Sequence, residues 1–284
     1  MPVLGSIPFS KAELFSLLQA IKERYGYDFS EYTLSTMARR IDWTMKMSGH
    51  CDLVSFERAI TEDPALLGAL VKNMSISVTS MFRDPLAYRE LVTRVFPILA
   101  TYPHIRIWCA GVATGEEAYS VAILLREAGL YERSLIYATD FNPVVLERAS
   151  KGVLPLEKMA EYTSNYIEAG GQNAFSKYYI ASDKGARIRS DLRENIVFAT
   201  HNLVSDGVFN EFQLILCRNV LIYFDSELMD KVLDKLRRSL ALRCFLFLGD
   251  AEHIATEEKR AMFETFSKPA NIFRAREYNP VMNQ

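Results

Sequence analysis

The chain has 284 residues, 49% hydrophobic and 24% charged, with 33 Lys/Arg against 35 Asp/Glu. That is the balance of a globular protein with room for one large domain, or an ordinary domain plus a small companion. A formal charge of −2 argues against a general nucleic-acid binder, and no apolar run approaches the length of a bilayer-spanning helix. The start, MPVLGSIPFSKAE, has no basic region followed by a long apolar stretch, so no secretory leader is expected. Cys51, Cys109, Cys217 and Cys244 form no C-x-x-C pair and the four histidines are scattered. Core thiols in a reducing cytoplasm, and no metal site, are expected.

Residues 1–75 read as helices only. Ser10-Lys11-Ala12-Glu13 is a capping box, followed by an apolar face of Leu14, Phe15, Leu17, Leu18 and Ile21 that ends near Gly26. A second helix is predicted over 31–47, with Leu34, Met37, Ala38, Ile41 and Met45 inward. Arg39, Trp43 and Lys46 fall on the opposite side, with Arg40 next to Arg39 in sequence. Short helices are predicted over 53–61 and 64–73. Residues 76–102 read as a linker and first cofactor-site segment.

From 103 to 284 strands alternate with helices. Strands are predicted at 105–110, 135–139, 196–199, 212–217 and 245–248, and a helix at 116–129. Asn142-Pro143 reads as an N-cap with Pro at the first helical position. Asp225 caps a further helix in which Leu228, Val232, Leu236 and Leu240 recur every four residues. Segments 261–266 and 271–277 suit a final hairpin. The alternation predicts a mainly parallel sheet covered on both faces. Residues 152–195 interrupt it, where Tyr178–Ile180 and Arg187–Arg189 flank a Ser-Asp-Lys-Gly turn, the pattern of a small antiparallel insertion.

The first strand runs into Gly111-Val112-Ala113-Thr114-Gly115-Glu116-Glu117. A glycine turn at the carboxyl end of such a strand lets a ligand approach the backbone. This turn carries two glutamates and no basic residue, so it repels phosphate and suits ammonium or sulfonium charge. The second strand ends at Asp140, where an acid accepts hydrogen bonds from a ribose diol. Singly, a glycine turn and an acid ahead of a helix are also ordinary structural devices. Their order and spacing together point to a nucleoside without pyrophosphate, which describes S-adenosylmethionine.

Five motifs make the resemblance specific. Ser77-Val78-Thr79-Ser80-Met81-Phe82-Arg83-Asp84 resembles the N-x-T-x-F-F-R signature of CheR methyltransferases. Residues 113–120, ATGEEAYS, resemble that family's S-T-G-E-E-P-Y-S. Ala138-Thr139-Asp140 resembles its A-S-D, His201-Asn202-Leu203 its V-N-L, and 216–224, LCRNVLIYF, its F-C-R-N-V-x-I-Y-F. Ser77 stands where the family usually has Asn, Ala118 replaces Pro, and Gly249-Asp250-Ala251-Glu252 replaces G-H-S-E with the Glu retained.

The resemblance implies an α/β fold: a Rossmann-like S-adenosylmethionine methyltransferase domain, an N-terminal all-helical domain and a small antiparallel β-subdomain insertion. It implies that Ser77, Thr79, Arg83, Glu117, Asp140, Asn202, Leu203, Arg218 and Asn219 line the cofactor site, with Glu117 on the methionyl ammonium and Asp140 on the ribose. Arg83 and Tyr223 would lie near the transferring methyl, while Met81 and Phe82 are expected to pack in the core. The implied reaction esterifies glutamates on the cytoplasmic helices of methyl-accepting chemotaxis receptors, leaving S-adenosylhomocysteine. Arg39, Arg40, Trp43 and Lys46 would contact the receptor, although residues 1–80 hold 8 Lys/Arg against 9 Asp/Glu and such a stripe is also what a solvated helix face looks like. A receptor tail peptide is a possible ligand of the β-subdomain. The expected location is the bacterial cytoplasm, with recruitment to membrane receptors but no insertion. Two alternatives stay open: a methyltransferase acting on another protein or a small molecule, and a non-catalytic S-adenosylmethionine-binding module.

Overall fold

The computed structural model describes residues 9–27, 29, 32–74, 79–254 and 256–277. They form two compact units, one of residues up to 74 with Tyr223–Met229, the other of 79–222 with 230–277.

The first unit holds four helices: α1 (Lys11–Tyr25), α2 (Leu34–Met47), α3 (Leu53–Glu62) and α4 (Pro64–Met74). The capping box forms as expected, with Ser10 N–H on Glu13 Oε2 at 2.8 Å and Glu13 N–H on Ser10 Oγ at 3.2 Å. Gly26 ends α1 in the left-handed conformation at φ 77°. Leu14, Leu17, Leu18 and Ile21 are buried, but Phe15 is exposed, because it lies off the i, i+3, i+4, i+7 stripe that they define. The second helix begins at Leu34; Glu31 lies outside the described residues. Asn73 fastens α4 to α2 through Nδ2 bonds to Arg40 O and Thr44 Oγ1, both 3.0 Å. The Tyr25 hydroxyl closes α1 on α3 at Ile60 O, 2.9 Å.

The second unit opens with a helix absent from the expectations: α5 (Pro85–Glu90) runs through a π-helical turn, Leu91–Val95, into α6 (Phe96–Leu99). Two prolines made the segment read as a linker. Pro85 in fact sits at the first helical position, and the wide turn precedes Pro97, which has no N–H to donate. Strand–helix alternation follows: β1 (Ile105–Ala110), α7 (Glu116–Glu127), β2 (Ser134–Asp140) and α8 (Pro143–Lys151). The insertion contributes β3 (Val153–Leu154), α9 (Met159–Glu168), β4 (Tyr179–Ser182) and β5 (Gly185–Ile188). The main fold resumes with β6 (Ile196–Thr200), β7 (Phe212–Cys217), α10 (Ser226–Arg238), β8 (Leu240–Leu248), α11 (Glu257–Met262), β9 (Phe263–Ser267) and β10 (Ile272–Ala275).

The main sheet has the order β6-β2-β1-β7-β8-β10-β9. The first five strands are parallel; β10 runs antiparallel to both β8 and β9. The strand β8 starts five residues earlier than expected, and Leu240 pairs with Phe212 instead of continuing α10. Arg243 lies within β8 at φ 61°, a local distortion that hid the early half of the strand.

The insertion is a three-stranded antiparallel sheet, β3-β5-β4, as the turn chemistry implied. Its helix α9 was not expected. The Glu127 carboxylate, at the end of α7, gathers the Tyr166 and Tyr178 hydroxyls and the Gln172 N–H, the last two at 2.7 and 3.0 Å. Asn142 caps α8, its Oδ1 accepting from Val144 N–H at 3.0 Å. Asn142→Ala should cost about 1 kcal/mol, read as a lower urea midpoint for the transition of this unit.

Candidate functional site

On either side of β1 the chain order of the sheet reverses: β2 and β6 lie one way, β7 and β8 the other. Parallel sheets hold ligands at such a switch point, beyond the carboxyl ends of the strands. The turns after β1, β2, β6 and β7 carry most of the motif residues.

The turn after β1 is built for close approach. Gly111 has φ +75°, and a Cβ there would meet Val220 Cγ2 at 2.5 Å. Gly111 and Val112 N–H both donate to Thr139 O, at 2.8 and 2.9 Å, locking the turn to β2. Ala113 is left-handed at φ 49°, an uncommon conformation without glycine. Its N–H donates to Asp140 Oδ2 at 3.0 Å, while Asp140 Oδ1 accepts from Asn142 N–H at 3.0 Å. Asp140 is buried, and burial pushes its carboxyl up although these N–H groups oppose the shift. Both carboxylate oxygens thus accept backbone N–H bonds, with lone-pair capacity left for a ligand.

The adjacent glutamates have different fates. Glu116 accepts from the Thr114 hydroxyl at 2.6 Å and the Tyr162 hydroxyl at 3.3 Å. Glu117 makes no hydrogen bond among the described residues; its ion pair is with Arg218 Nη1 at 3.9 Å. Burial pushes its carboxyl up to about 7, with the Arg218 and Arg83 charges pulling the other way. A half-buried acid without a donor, still 13% exposed, suits a cationic ligand group, which supplies both the charge and the N–H bonds.

Arg218, just after β7, organises this corner. Its side chain is 2% exposed. It donates to Asp84 Oδ2 at 2.8 Å and to Arg83 O at 3.0 Å, and its guanidinium lies 5.1 and 4.6 Å from the Tyr88 and Phe247 ring centroids. Its two terminal nitrogens thus bond to Arg83 and Asp84, while its buried Nε has no partner among the described residues.

The segment ahead of α5 is held from several sides. Phe82 N–H donates to Ser120 Oγ at 2.9 Å, Asn165 Nδ2 to Met81 O at 3.0 Å, and Lys158 Nζ to Thr79 O at 3.5 Å. Phe82 and Asp84 take φ of 52° and 56°, a strained path around Arg83. Met81 and Phe82 are fully buried, as core packing required. Ser77 lies outside the described residues.

After β6, His201 N–H bonds to Asp140 O at 3.1 Å. Asn202 closes a tight turn, its Oδ1 accepting from Val204 N–H at 2.9 Å, and Lys235 Nζ donates to Leu203 O at 2.6 Å. Ser120, Lys158, Asn165 and Lys235 are supporting residues that sequence reasoning missed. They come from helices whose faces are set only by folding.

The structure brings Arg83, Glu117 and Arg218 together, with Asp140 holding the turn between them and His201-Asn202-Leu203. Tyr223 belongs to the helical unit, where its carbonyl accepts Thr33 N–H at 3.1 Å. In that unit Arg39 and Lys46 are exposed and Trp43 is 52% exposed. Lys46 is paired with Asp42 at 2.7 Å. Arg40 is half-buried, and burial and the neighbouring Arg39 lower its pKa.

Open parallel topology, an acidic glycine turn and an acid at the tip of the second strand define an S-adenosylmethionine-type methyltransferase site. Comparison with known proteins agrees. Residues 77–271 match the "CheR methyltransferase, SAM binding domain" and residues 12–75 the "CheR methyltransferase, all-alpha domain". A Pseudomonas putida protein named "Putative methyltransferase Cher3" is 42% identical over 92% of this chain and 96% of its own. A "Chemotaxis protein methyltransferase" of Listeria monocytogenes is 29% identical over 87% and 92%. An "Uncharacterized 104.1 kDa protein in hypE 3'region" of Rhodobacter capsulatus is 35% identical over 79% of this chain, which spans 24% of that protein. Among solved structures, the N-methyltransferase NodS of Bradyrhizobium japonicum with S-adenosyl-l-homocysteine is 16% identical, with TM-score 0.37 over 66% of this chain and 87% of that one. The chain belongs to the CheR methyltransferase family, and its cofactor is S-adenosylmethionine. No described helix is long and apolar enough to cross a membrane.

The Glu117 shift has a definite sign. Its carboxyl stands near 7 in the fold against 4.5 ordinarily, so the folded state holds the extra proton between those values and Glu117 lowers stability as pH rises across them. Glu117→Gln should therefore gain melting temperature relative to the unsubstituted chain between about pH 5 and about pH 7.5. S-adenosylhomocysteine should bind the unsubstituted chain more tightly as pH rises through that range, and bind the variant weakly without this dependence, as calorimetry would show.

Proposed function

We propose that this enzyme transfers methyl groups to glutamate side chains of chemotaxis receptors, giving methyl esters. The observation that carries the reading is the half-buried Glu117 carboxylate, without a hydrogen-bond donor among the described residues, beside two arginine charges at the switch point. The relative named chemotaxis protein methyltransferase supports the choice of acceptor. When bound, S-adenosylmethionine supplies a sulfonium methyl that a carboxylate oxygen displaces.

The residues then divide the work. Glu117 takes the ammonium of the cofactor and Asp140 its ribose hydroxyls, with Asn202 and Leu203 beside the nucleoside. Thr79 and Asn219 line the rest of the site. A glutamate acceptor, with a reference pKa of about 4.3, is already an anion at neutral pH, so no general base is required. What the protein adds is orientation, which contributes on the order of 7–11 kcal/mol when reacting groups are well aligned. Arg83 holds the incoming carboxylate by a charge-assisted fork, and the Tyr223 hydroxyl positions the methyl or the acceptor. The stripe of Arg39, Arg40, Trp43 and Lys46 contacts the receptor helix. The small antiparallel sheet is where this reading would seat a receptor tail peptide, and loss of capture by a tail-less receptor would support it.

Incubation with S-adenosylmethionine labelled in its methyl group and receptor cytoplasmic fragments should label the fragments, and mild alkali should release the label as methanol. Arg83→Ala should lower turnover by roughly two orders of magnitude while S-adenosylhomocysteine affinity stays within a few-fold. Stable label, or label only on other proteins of a lysate, would transfer the activity to a different acceptor.

A further inference from the structure

A carboxylate outside the residues assigned so far controls the shape of the switch-point loop. Glu252 follows the end of β8, is 3% exposed, and turns its side chain back toward the loop after β7. Its Oε2 accepts N–H bonds from Gly249 at 2.6 Å and Asn219 at 2.9 Å. Its Oε1 accepts from Val220 at 2.8 Å and Leu221 at 2.7 Å. An ionised carboxylate offers about four lone-pair directions, and here backbone N–H groups take up that capacity.

Three consecutive N–H groups converge on one anion because Asn219 is left-handed, at φ 61°. Successive N–H groups in such a bend form a concave anion nest, and here the protein fills its own nest. Asn271 fixes the carboxylate's own backbone from beneath, its Nδ2 donating to Gly249 O and Glu252 O at 2.7 Å each. Gly249 cannot be larger, since a Cβ there would meet Asn219 N, Asn219 Nδ2 and Glu252 Oε2, all at 2.9 Å. The loop so fixed presses Val220 against Gly111, the first residue of the turn after β1, where a Cβ would come within 2.5 Å of Val220 Cγ2.

We infer that Glu252 is a positioning residue for methyl transfer: by gathering the 219–221 N–H groups it sets the depth of the Gly111 turn and the placement of Asn219. The inference rests on the cofactor lying over that turn. Glu252 acts through Val220 and Asn219; its charge also raises the Glu117 carboxyl, an effect whose loss in Glu252→Gln would favour an ammonium and so runs against the predicted fall.

The test uses the full chain with Glu252→Gln, Glu252→Asp and a matched control, Glu127→Gln. Glu127 also collects several donors in the same unit, but it serves the α7–α9 junction. In Glu252→Gln one oxygen becomes an amide NH2 group that faces N–H donors. S-adenosylhomocysteine affinity, read by calorimetry at matched folded fraction, should fall at least about tenfold, the equivalent of about 1.4 kcal/mol. The KM for the methyl acceptor should stay unchanged while turnover falls. Glu252→Asp, which keeps the charge on a shorter arm, should recover part of the affinity. Glu127→Gln should lose melting temperature yet bind within twofold of the unsubstituted chain.

If Glu252→Gln does not fold, Glu252→Asp carries the comparison, and weaker binding than Glu127→Gln at similar melting temperature supports the inference. Affinity within twofold of the unsubstituted chain in the folded Glu252 variants overturns it. Because binding is read without an acceptor, failure of the receptor assignment would show separately, as an unsubstituted chain that binds S-adenosylhomocysteine but esterifies no receptor.

Discussion

The site depends on one buried cation. Removing the Arg218 guanidinium from water costs several kcal/mol, and such a charge persists only where hydrogen bonds and opposite charge compensate. Asp84 and the Arg83 carbonyl supply the bonds, the Tyr88 and Phe247 rings supply their faces, and Glu117 adds charge at 3.9 Å. These partners come from the segment before α5, from α5 itself, from β8 and from the first turn of α7. One side chain therefore ties the strained path around Arg83 to the sheet. Because Arg218 spends its short contacts on Asp84 and Arg83, Glu117 is left half-buried with a distant partner, the shortfall on which its proposed ammonium role rests.

Topology explains why these pieces meet. With β2 and β6 on one side of β1 and β7 and β8 on the other, the turns after β1 and β7 face each other across the reversal. Val220 against Gly111 marks how near they come. The acid at the tip of β2 then braces the first turn through Ala113 N–H while keeping acceptor capacity for a ligand. Backbone amides and carboxylates do most of the positioning, which suits the proposed glutamate esterification, whose demand is alignment and not proton transfer.

Much of this was legible in the residue order, and the gaps have identifiable causes. Short apolar runs marked β1, β2 and β7 closely, since buried parallel strands announce themselves that way. The Ser10, Asn142 and Asp225 caps were readable because a cap is a local device. The helix from Pro85 to Leu99 was missed because proline reads as a breaker, although Pro85 opens it and a π turn accommodates Pro97. Within the insertion, α9 hid behind the hairpin signal, its buried Tyr162 and Tyr166 being too sparse to declare a helical face. Local periodicity also carried Leu240 into α10, whereas pairing with Phe212 places it in β8. Two adjacent glutamates pointed to a cationic ligand, but only tertiary contacts show that Thr114 and Tyr162 satisfy Glu116 and leave Glu117 unsatisfied.

The central claim is that Glu117 is the carboxylate that receives the cofactor's ammonium. Its titration can be followed directly by the side-chain carboxyl resonance of a chain labelled with carbon-13 at glutamate, assigned by comparison with Glu117→Gln. Without ligand the resonance should titrate near pH 7, and with saturating S-adenosylhomocysteine the midpoint should move well into the acidic range. A midpoint that stays in place while S-adenosylhomocysteine is demonstrably bound would put the ammonium elsewhere and contradict the account.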